Sequence, residues 1–243
     1  MLYKIVNRIL CFLMVSVGCK NGGAHSTGQD TKSENGAHLQ IEQLEQKLID
    51  AGLVNIQTIE PGIRVELKYS TLDNFMHKDM YGSLENAYLQ PDVAQKLSKA
   101  YKLLAVTHPE LTLLVYDAVR PLHIQQMMWD SLDIPLEQKN QFLSNPKNGS
   151  VHNYGAAVDL TLCTLDGKAL DMGCAYDFIG ELARPDAEQK FLTEGKLTLE
   201  QVNNRKLLRK TMLDAGFRMI DNEWWHFNSC SRDEAKRLYK VIE

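Results

Sequence analysis

Residues 150–159 read SVHNYGAAVD, and residues 223–226, far along the chain, read EWWH. The run from Gly155 to Leu162 predicts a strand that leaves the loop carrying His152, and Asp159 lies on that strand. Another short strand is predicted over residues 224–227. Because rigid neighbouring strands hold metal ligands with little reorganisation, the two segments can together form one site.

The two segments supply the side chains that a hydrolytic zinc site needs. Such a site has three protein ligands, one position open for water, and a nearby carboxylate that takes the water's proton. His152, Asp159 and His226 fit the ligands of one Zn²⁺ per chain, and Glu223 fits the base. Their order differs from the helical H-E-x-x-H motif of the zincins, so that family is not the template. The alternative is that both histidines are ordinary polar residues.

Arg120 is a candidate for stabilising an oxyanion. It follows residues 111–115, a β-rich run between turn signals, and functional side chains are often presented where strands end. A guanidinium there could stabilise the oxyanion that forms when activated water attacks a peptide carbonyl. The alternative is a solvated surface arginine.

The remaining pattern predicts an α+β fold with a mainly antiparallel sheet flanked by helices. Helices are predicted over residues 39–51 with Gly52 as C-cap, 91–106, and 199–215 with Gly216 as the stop, followed by a terminal helix capped by residues 231–234. Strands are predicted over residues 63–68, 111–115, 155–162 and 224–227. We expect one catalytic domain over residues 39–243.

Composition places the chain among ordinary globular proteins. It has 243 residues, 44% of them hydrophobic and 24% charged, and a formal net charge of −4. That charge offers no basic surface for nucleic acid, which is therefore not an expected partner. Cys163, Cys174 and Cys230 cannot all pair within the chain, so at most one disulfide could join two of them.

The first residues have the pattern of an export signal. Lys4 and Arg8 precede a short apolar run that ends at Gly18-Cys19. This pattern resembles the lipobox of bacterial lipoproteins and predicts a signal over residues 1–18, lipidation of Cys19 and a flexible tether over residues 19–38. We therefore expect an exported protein on the periplasmic side of a bacterial membrane, held there by a lipid anchor. An ordinary cleaved signal and an uncleaved anchor are the alternatives.

The motif S-x-H-x-x-G-x-A-x-D followed by E-x-W-H resembles that of the VanX-type D-alanyl-D-alanine dipeptidases, which are related to D,D-carboxypeptidases and to the hedgehog fold. The resemblance extends from about Ile63 to Phe227. It implies zinc at His152, Asp159 and His226.

The same resemblance implies roles for four other residues. Glu223 would act as general base and then acid, and Arg120 would stabilise the transition state. Ser150 and Asp177 would hold the free ammonium of a small D,D-dipeptide.

Three functions compete on this basis. The leading hypothesis is hydrolysis of D-alanyl-D-alanine by metal-activated water. A D,D-carboxypeptidase that trims peptidoglycan stem peptides is the enzymatic alternative, although Asp177 favours a substrate with a free amine. A zinc-containing, wall-binding lipoprotein without turnover is the third, and it needs neither Glu223 nor Arg120.

Overall fold

The computed structural model describes residues 44–82, 84–140 and 143–243. The predicted signal, the tether and the lipidation site Cys19 lie outside the described residues. Within the described ranges, no helix combines the length and the apolar character that crossing a membrane requires.

Strands of the described ranges form two sheets. In chain order they are β1 (Val54–Asn55), β2 (Arg64–Val65), β3 (Tyr88–Leu89), β4 (Leu111–Asp117), β5 (Ala157–Thr164), β6 (Arg218–Met219) and β7 (His226–Asn228). β1 and β3 pair by themselves, and the main sheet has the order β2-β4-β5-β7-β6. The β2–β4 pair is parallel and the other three pairs of the main sheet are antiparallel. The predicted α+β fold with a mainly antiparallel sheet is confirmed, with one parallel pair at its edge.

Helices surround this sheet. In chain order they are α1 (residues 44–50), α2 (Ile56–Ile59), α3 (Pro91–Thr107), α4 (Leu122–Ser131), α5 (Leu136–Lys139), α6 (Glu188–Thr193), α7 (Leu199–Ala215) and α8 (Arg232–Leu238). The predictions for α3, α7 and α8 are confirmed, and Gly216 ends α7 with a φ of +99°. The strand predicted over residues 63–68 is shorter than expected, because Lys68 begins a 3₁₀ turn.

The core lies around the two central strands. Every residue of β4 is buried, and in β5 only Thr164 is partly exposed. α3 and α7 pack against each other and against these strands. A strand that is buried on both faces has a continuous apolar sequence, which is why β4 does not alternate between apolar and polar residues.

Candidate active site

The register of the main sheet brings three polar side chains into one row. Asp159 of β5 is the direct partner of Asp117 in β4 and of His226 in β7. His152 comes from the 3₁₀ turn that immediately precedes β5. Side chains that are far apart in sequence therefore meet on three adjacent strands in the middle of the sheet.

Gly155 makes the turn that carries His152. Its φ of +63° lies in the left-handed region, which glycine adopts without steric cost. A Cβ at this position would also lie 2.8 Å from Leu53 Cδ2 and 3.4 Å from the backbone nitrogen of Gln90. Glycine is therefore favoured at position 155 for two reasons: the turn has a positive φ, and the chain next to β3 passes close to this residue.

Three ligand atoms converge at the end of this row. His226 Nδ1 lies 2.9 Å from Asp159 Oδ1 and 3.1 Å from His152 Nε2. The third side of the triangle, from His152 Nε2 to Asp159 Oδ1, measures 3.3 Å. Ligand atoms of a tetrahedral zinc ion lie about 3.3 to 3.6 Å apart, as follows from bond lengths of about 2.0 to 2.2 Å. The triangle therefore needs to open by only a few tenths of an ångström to suit zinc.

Each of the two imidazoles forms one hydrogen bond with an acceptor outside the triangle. This bond fixes the proton on one ring nitrogen and leaves a lone pair on the other, which faces the centre of the triangle. His152 Nδ1 lies 2.6 Å from the carbonyl oxygen of Ala118, an acceptor, so this nitrogen carries the proton. His226 Nε2 lies 3.0 Å from Asn228 Oδ1 and donates to it in the same way. Two lone pairs and the Asp159 carboxylate thus face one another, and a bound cation relieves their repulsion. The donor set of two nitrogens and one oxygen suits Zn²⁺.

Glu223 lies beside this cluster. Its Oε2 is 4.0 Å from His226 Nδ1, and its side chain keeps 31% of its surface exposed. Its Oε1 accepts a hydrogen bond of 3.2 Å from Asn222 Nδ2. Loss of hydration raises the pKa of the Glu223 carboxyl, and the attraction of His226 offsets only part of that rise. A carboxylate with a raised pKa, next to a metal position, can accept and return a proton.

Arg120 is buried in an ion pair and is not a solvated surface residue. Asp117 Oδ2 accepts hydrogen bonds from Arg120 Nη2 at 2.5 Å and from Arg120 Nε at 3.1 Å. Asp117 Oδ1 accepts from the Tyr81 hydroxyl at 2.7 Å and from the backbone nitrogen of Ala118 at 2.9 Å. Arg120 Nη2 also lies 3.8 Å from Asp159 Oδ2. The guanidinium is therefore fixed next to the three ligand atoms.

Ser150 and Asp177 complete the predicted set. Ser150 is buried, and its Oγ accepts from the backbone nitrogen of His152 at 3.3 Å. Asp177 has a left-handed φ of +60°, and its Oδ2 is buried without a hydrogen-bond partner in the described part of the chain. Burial, followed by repulsion from Asp159, raises the pKa of the Asp177 carboxyl well above its ordinary value. An unpaired buried carboxylate oxygen is costly unless a ligand pairs with it.

One cavity of about 300 Å³ joins these groups. The seven residues predicted for metal binding, catalysis and substrate binding all line it: Arg120, Ser150, His152, Asp159, Asp177, Glu223 and His226. Trp225 is buried but lines it as well, and its ring packs edge to face on Trp224.

Sequence reasoning missed several supporting residues. Asp117 fixes Arg120, and Asn228 fixes the ring of His226. Asn153 donates to the carbonyl of Arg120 at 2.8 Å and so ties the His152 turn to the end of β4. Asp117 lies three residues before Arg120 and Asn228 two residues after His226, but neither spacing is specific for such a contact. The cysteines Cys163, Cys174 and Cys230 are all free, so none of the disulfides considered among them is formed.

Comparison with known proteins gives concordant matches. The model of the Peptidase M15 family, described as D-Ala-D-Ala dipeptidase, matches residues 49–242. A D-alanyl-D-alanine dipeptidase of Escherichia coli (strain K12) is 33% identical over 181 residues, which cover 72% of this chain and 83% of that protein. A D-alanyl-D-alanine dipeptidase of Enterococcus faecium is 29% identical over 194 residues, 74% of this chain and 92% of that protein.

Among solved structures, a variant of the vancomycin resistance D,D-pentapeptidase VanY in complex with Zn(II) matches with a TM-score of 0.34 at 15% identity, over 65% of this chain and 80% of that one. That similarity is too weak for comparing side-chain positions. The family match spans most of the chain, and the Escherichia coli relative matches over most of its own length. The chain belongs to the M15 peptidase family of D-alanyl-D-alanine dipeptidases.

Proposed function

We propose that this peptidase is a zinc-dependent dipeptidase that hydrolyses D-alanyl-D-alanine to free D-alanine. The observation that carries the proposal is the single cavity that joins the triangle of ligand atoms, the Glu223 carboxylate and the unpaired oxygen of Asp177. The similarity to D-alanyl-D-alanine dipeptidases of Escherichia coli and Enterococcus faecium supports the choice of substrate.

His152, Asp159 and His226 would hold one zinc ion through the atoms of the triangle. When bound, the ion would lower the pKa of a water molecule to roughly 7 and would polarise the carbonyl of the scissile peptide. Ala118 and Asn228 keep the two imidazoles in the tautomers that this task needs.

Glu223 moves the proton. Its carboxylate takes a proton from the attacking water and returns it to the nitrogen of the leaving amine, as a general base and then a general acid. Arg120 stabilises the negative charge that develops on the carbonyl oxygen. Because Asp117 already fixes two of its N–H groups, the guanidinium needs no reorganisation during the reaction.

Asp177 selects the free dipeptide. Its buried Oδ2 lacks a partner among the described residues, and a substrate ammonium supplies both hydrogen-bond donors and the opposite charge. Ser150 lines the same cavity and has a hydroxyl that can accept from the ammonium. In a stem peptide the corresponding nitrogen is acylated and uncharged, so this arrangement favours the dipeptidase over the D,D-carboxypeptidase alternative.

Release of D-alanine from two substrates tests the proposal. We expect the zinc-loaded protein to cleave D-alanyl-D-alanine and to leave a D-alanyl-D-alanine-terminated pentapeptide largely intact. Glu223→Gln should keep its zinc but lose about 10²- to 10⁴-fold in kcat. Preferential cleavage of the pentapeptide would establish the carboxypeptidase instead, and zinc binding without any cleavage would leave the wall-binding lipoprotein.

We further propose that the protein is exported and anchored through a lipid on Cys19, on the support of the apolar run and Gly18-Cys19. Mass spectrometry of protein purified from bacterial membranes should find Cys19 as a lipidated N-terminus. Cys19→Ala should move the protein out of the membrane fraction, and an unchanged distribution would refute the anchor.

A further inference from the structure

We infer that Arg232 binds the C-terminal carboxylate of the substrate and gives the enzyme a preference for peptides with a free carboxyl end. This inference rests on the proposed dipeptidase function, because it assigns the second charged end of the same substrate. It adds a specificity residue that lies outside the segments carrying the family motif.

The charges on the cavity wall lead to this assignment. Three carboxylates line the cavity, together with the two guanidinium groups of Arg120 and Arg232. Arg120 is engaged by Asp117 through two hydrogen bonds. Within residues 44–82, 84–140 and 143–243, Arg232 forms neither a side-chain hydrogen bond nor an ion pair, so its charge is available to a ligand.

Arg232 lies on a backbone segment whose position is fixed relative to the metal ligands. It is the first residue of α8, six residues after His226, and Ser231 caps that helix with a capping box. The connection from β7 is fixed where the backbone nitrogen of Ser229 donates to the carbonyl of Ala156 at 2.8 Å. Beyond α8, the backbone nitrogen of Ile242 donates to the carbonyl of Asn153 in the His152 turn, also at 2.8 Å. The base of the Arg232 side chain is therefore tied to the same turn and strand that position the histidines.

Asp177 and Arg232 both line the cavity, but only Asp177 also borders a neighbouring groove. That groove has a volume of about 310 Å³, and Phe75 and Phe178 also line it. A D,D-dipeptide at neutral pH is a zwitterion whose ammonium and carboxylate flank one peptide bond. The cavity matches that distribution of charge. It contains an anionic group for the ammonium, a cationic group for the carboxylate, and the metal ligands.

The size of the effect follows from the exposure of Arg232. A hydrogen bond between charged groups contributes roughly 10- to 150-fold to kcat/KM. Because Arg232 is solvent-exposed, screening by water reduces the effect, and we expect about 10-fold.

The experiment compares D-alanyl-D-alanine with D-alanyl-D-alaninamide, which lacks only the terminal charge. The zinc-loaded wild-type protein should prefer the free acid, and Arg232→Ala should lose about 10-fold in kcat/KM for the acid while its rate on the amide stays the same. Arg232→Lys should recover part of the preference. Arg237→Ala, which removes an exposed arginine of the same helix away from the cavity, is the matched control and should behave as wild type.

The possible failures can be told apart. If the wild-type protein cleaved the acid but Arg232→Ala kept the full preference for it over the amide, the role of Arg232 would be wrong and the dipeptidase would stand. If the zinc-loaded wild-type protein cleaved neither compound, the proposed function would fail and the role of Arg232 with it.

Discussion

Replacement of Asp117 by alanine should destabilise the protein strongly. The Asp117 side chain is fully buried and accepts hydrogen bonds from Arg120, the Tyr81 hydroxyl and the backbone of Ala118. Removal of one partner of a buried ion pair costs about 3 to 5 kcal/mol, because the other charge remains buried and uncompensated. For a chain of this size, that loss corresponds to a fall in Tm of roughly 6 to 20 °C.

Urea unfolding with zinc removed by chelation measures this loss without a contribution from metal binding. Asp92→Ala is the matched control, because Asp92 also accepts from a tyrosine hydroxyl, that of Tyr239 at 2.6 Å, but does so on the surface. It should cost about 1 kcal/mol or less. If Asp117→Ala lost no more free energy of unfolding than Asp92→Ala, the view of Asp117 as the buried partner of Arg120 would be wrong.

Three further predictions concern the substrate, the metal and the turn. Because the pKa of the Asp177 carboxyl is raised, acidification should protonate this group early and increase KM for the dipeptide. Asp177→Asn should show a high KM without this pH dependence, and the same pH profile in both proteins would contradict the ammonium site. Asn228→Ala should weaken zinc binding about 10- to 100-fold in a chelator competition, because His226 Nε2 loses its hydrogen-bond acceptor. Unchanged affinity would show that Asn228 does not orient His226 for the metal. Gly155→Ala should lower the free energy of unfolding by about 1 to 3 kcal/mol, because φ is +63° and the new Cβ meets Leu53; unchanged stability would show that the turn relaxes easily.

The proximity of the candidate site residues was predictable from sequence where a motif places them at short, fixed offsets. His152 and Asp159 are seven residues apart, on a turn and the strand that follows it, and Glu223 precedes His226 by three residues. The long helices α3 and α7 were predictable for a comparable reason, since proline, capping residues and glycine mark their ends locally.

Contacts that depend on tertiary structure were not predictable. Asp117 becomes the partner of Arg120 only because the end of β4 is buried beside β5, and Arg232 reaches the cavity only because α8 packs near the His152 turn. The parallel pairing of β2 with β4 likewise depends on residues fifty positions apart. The short helices α2, α5 and α6 lack the several turns over which apolar periodicity becomes recognisable.

A zinc titration of the metal-free protein, with release of D-alanine from D-alanyl-D-alanine as the readout, tests whether His152, Asp159 and His226 hold a catalytic zinc ion. We predict that activity rises linearly and stops rising at one zinc ion per chain, and that His152→Ala neither binds zinc at this site nor gains activity. Turnover that is independent of zinc, or His152→Ala with full zinc occupancy and full activity, would show that this cluster is not a catalytic zinc site.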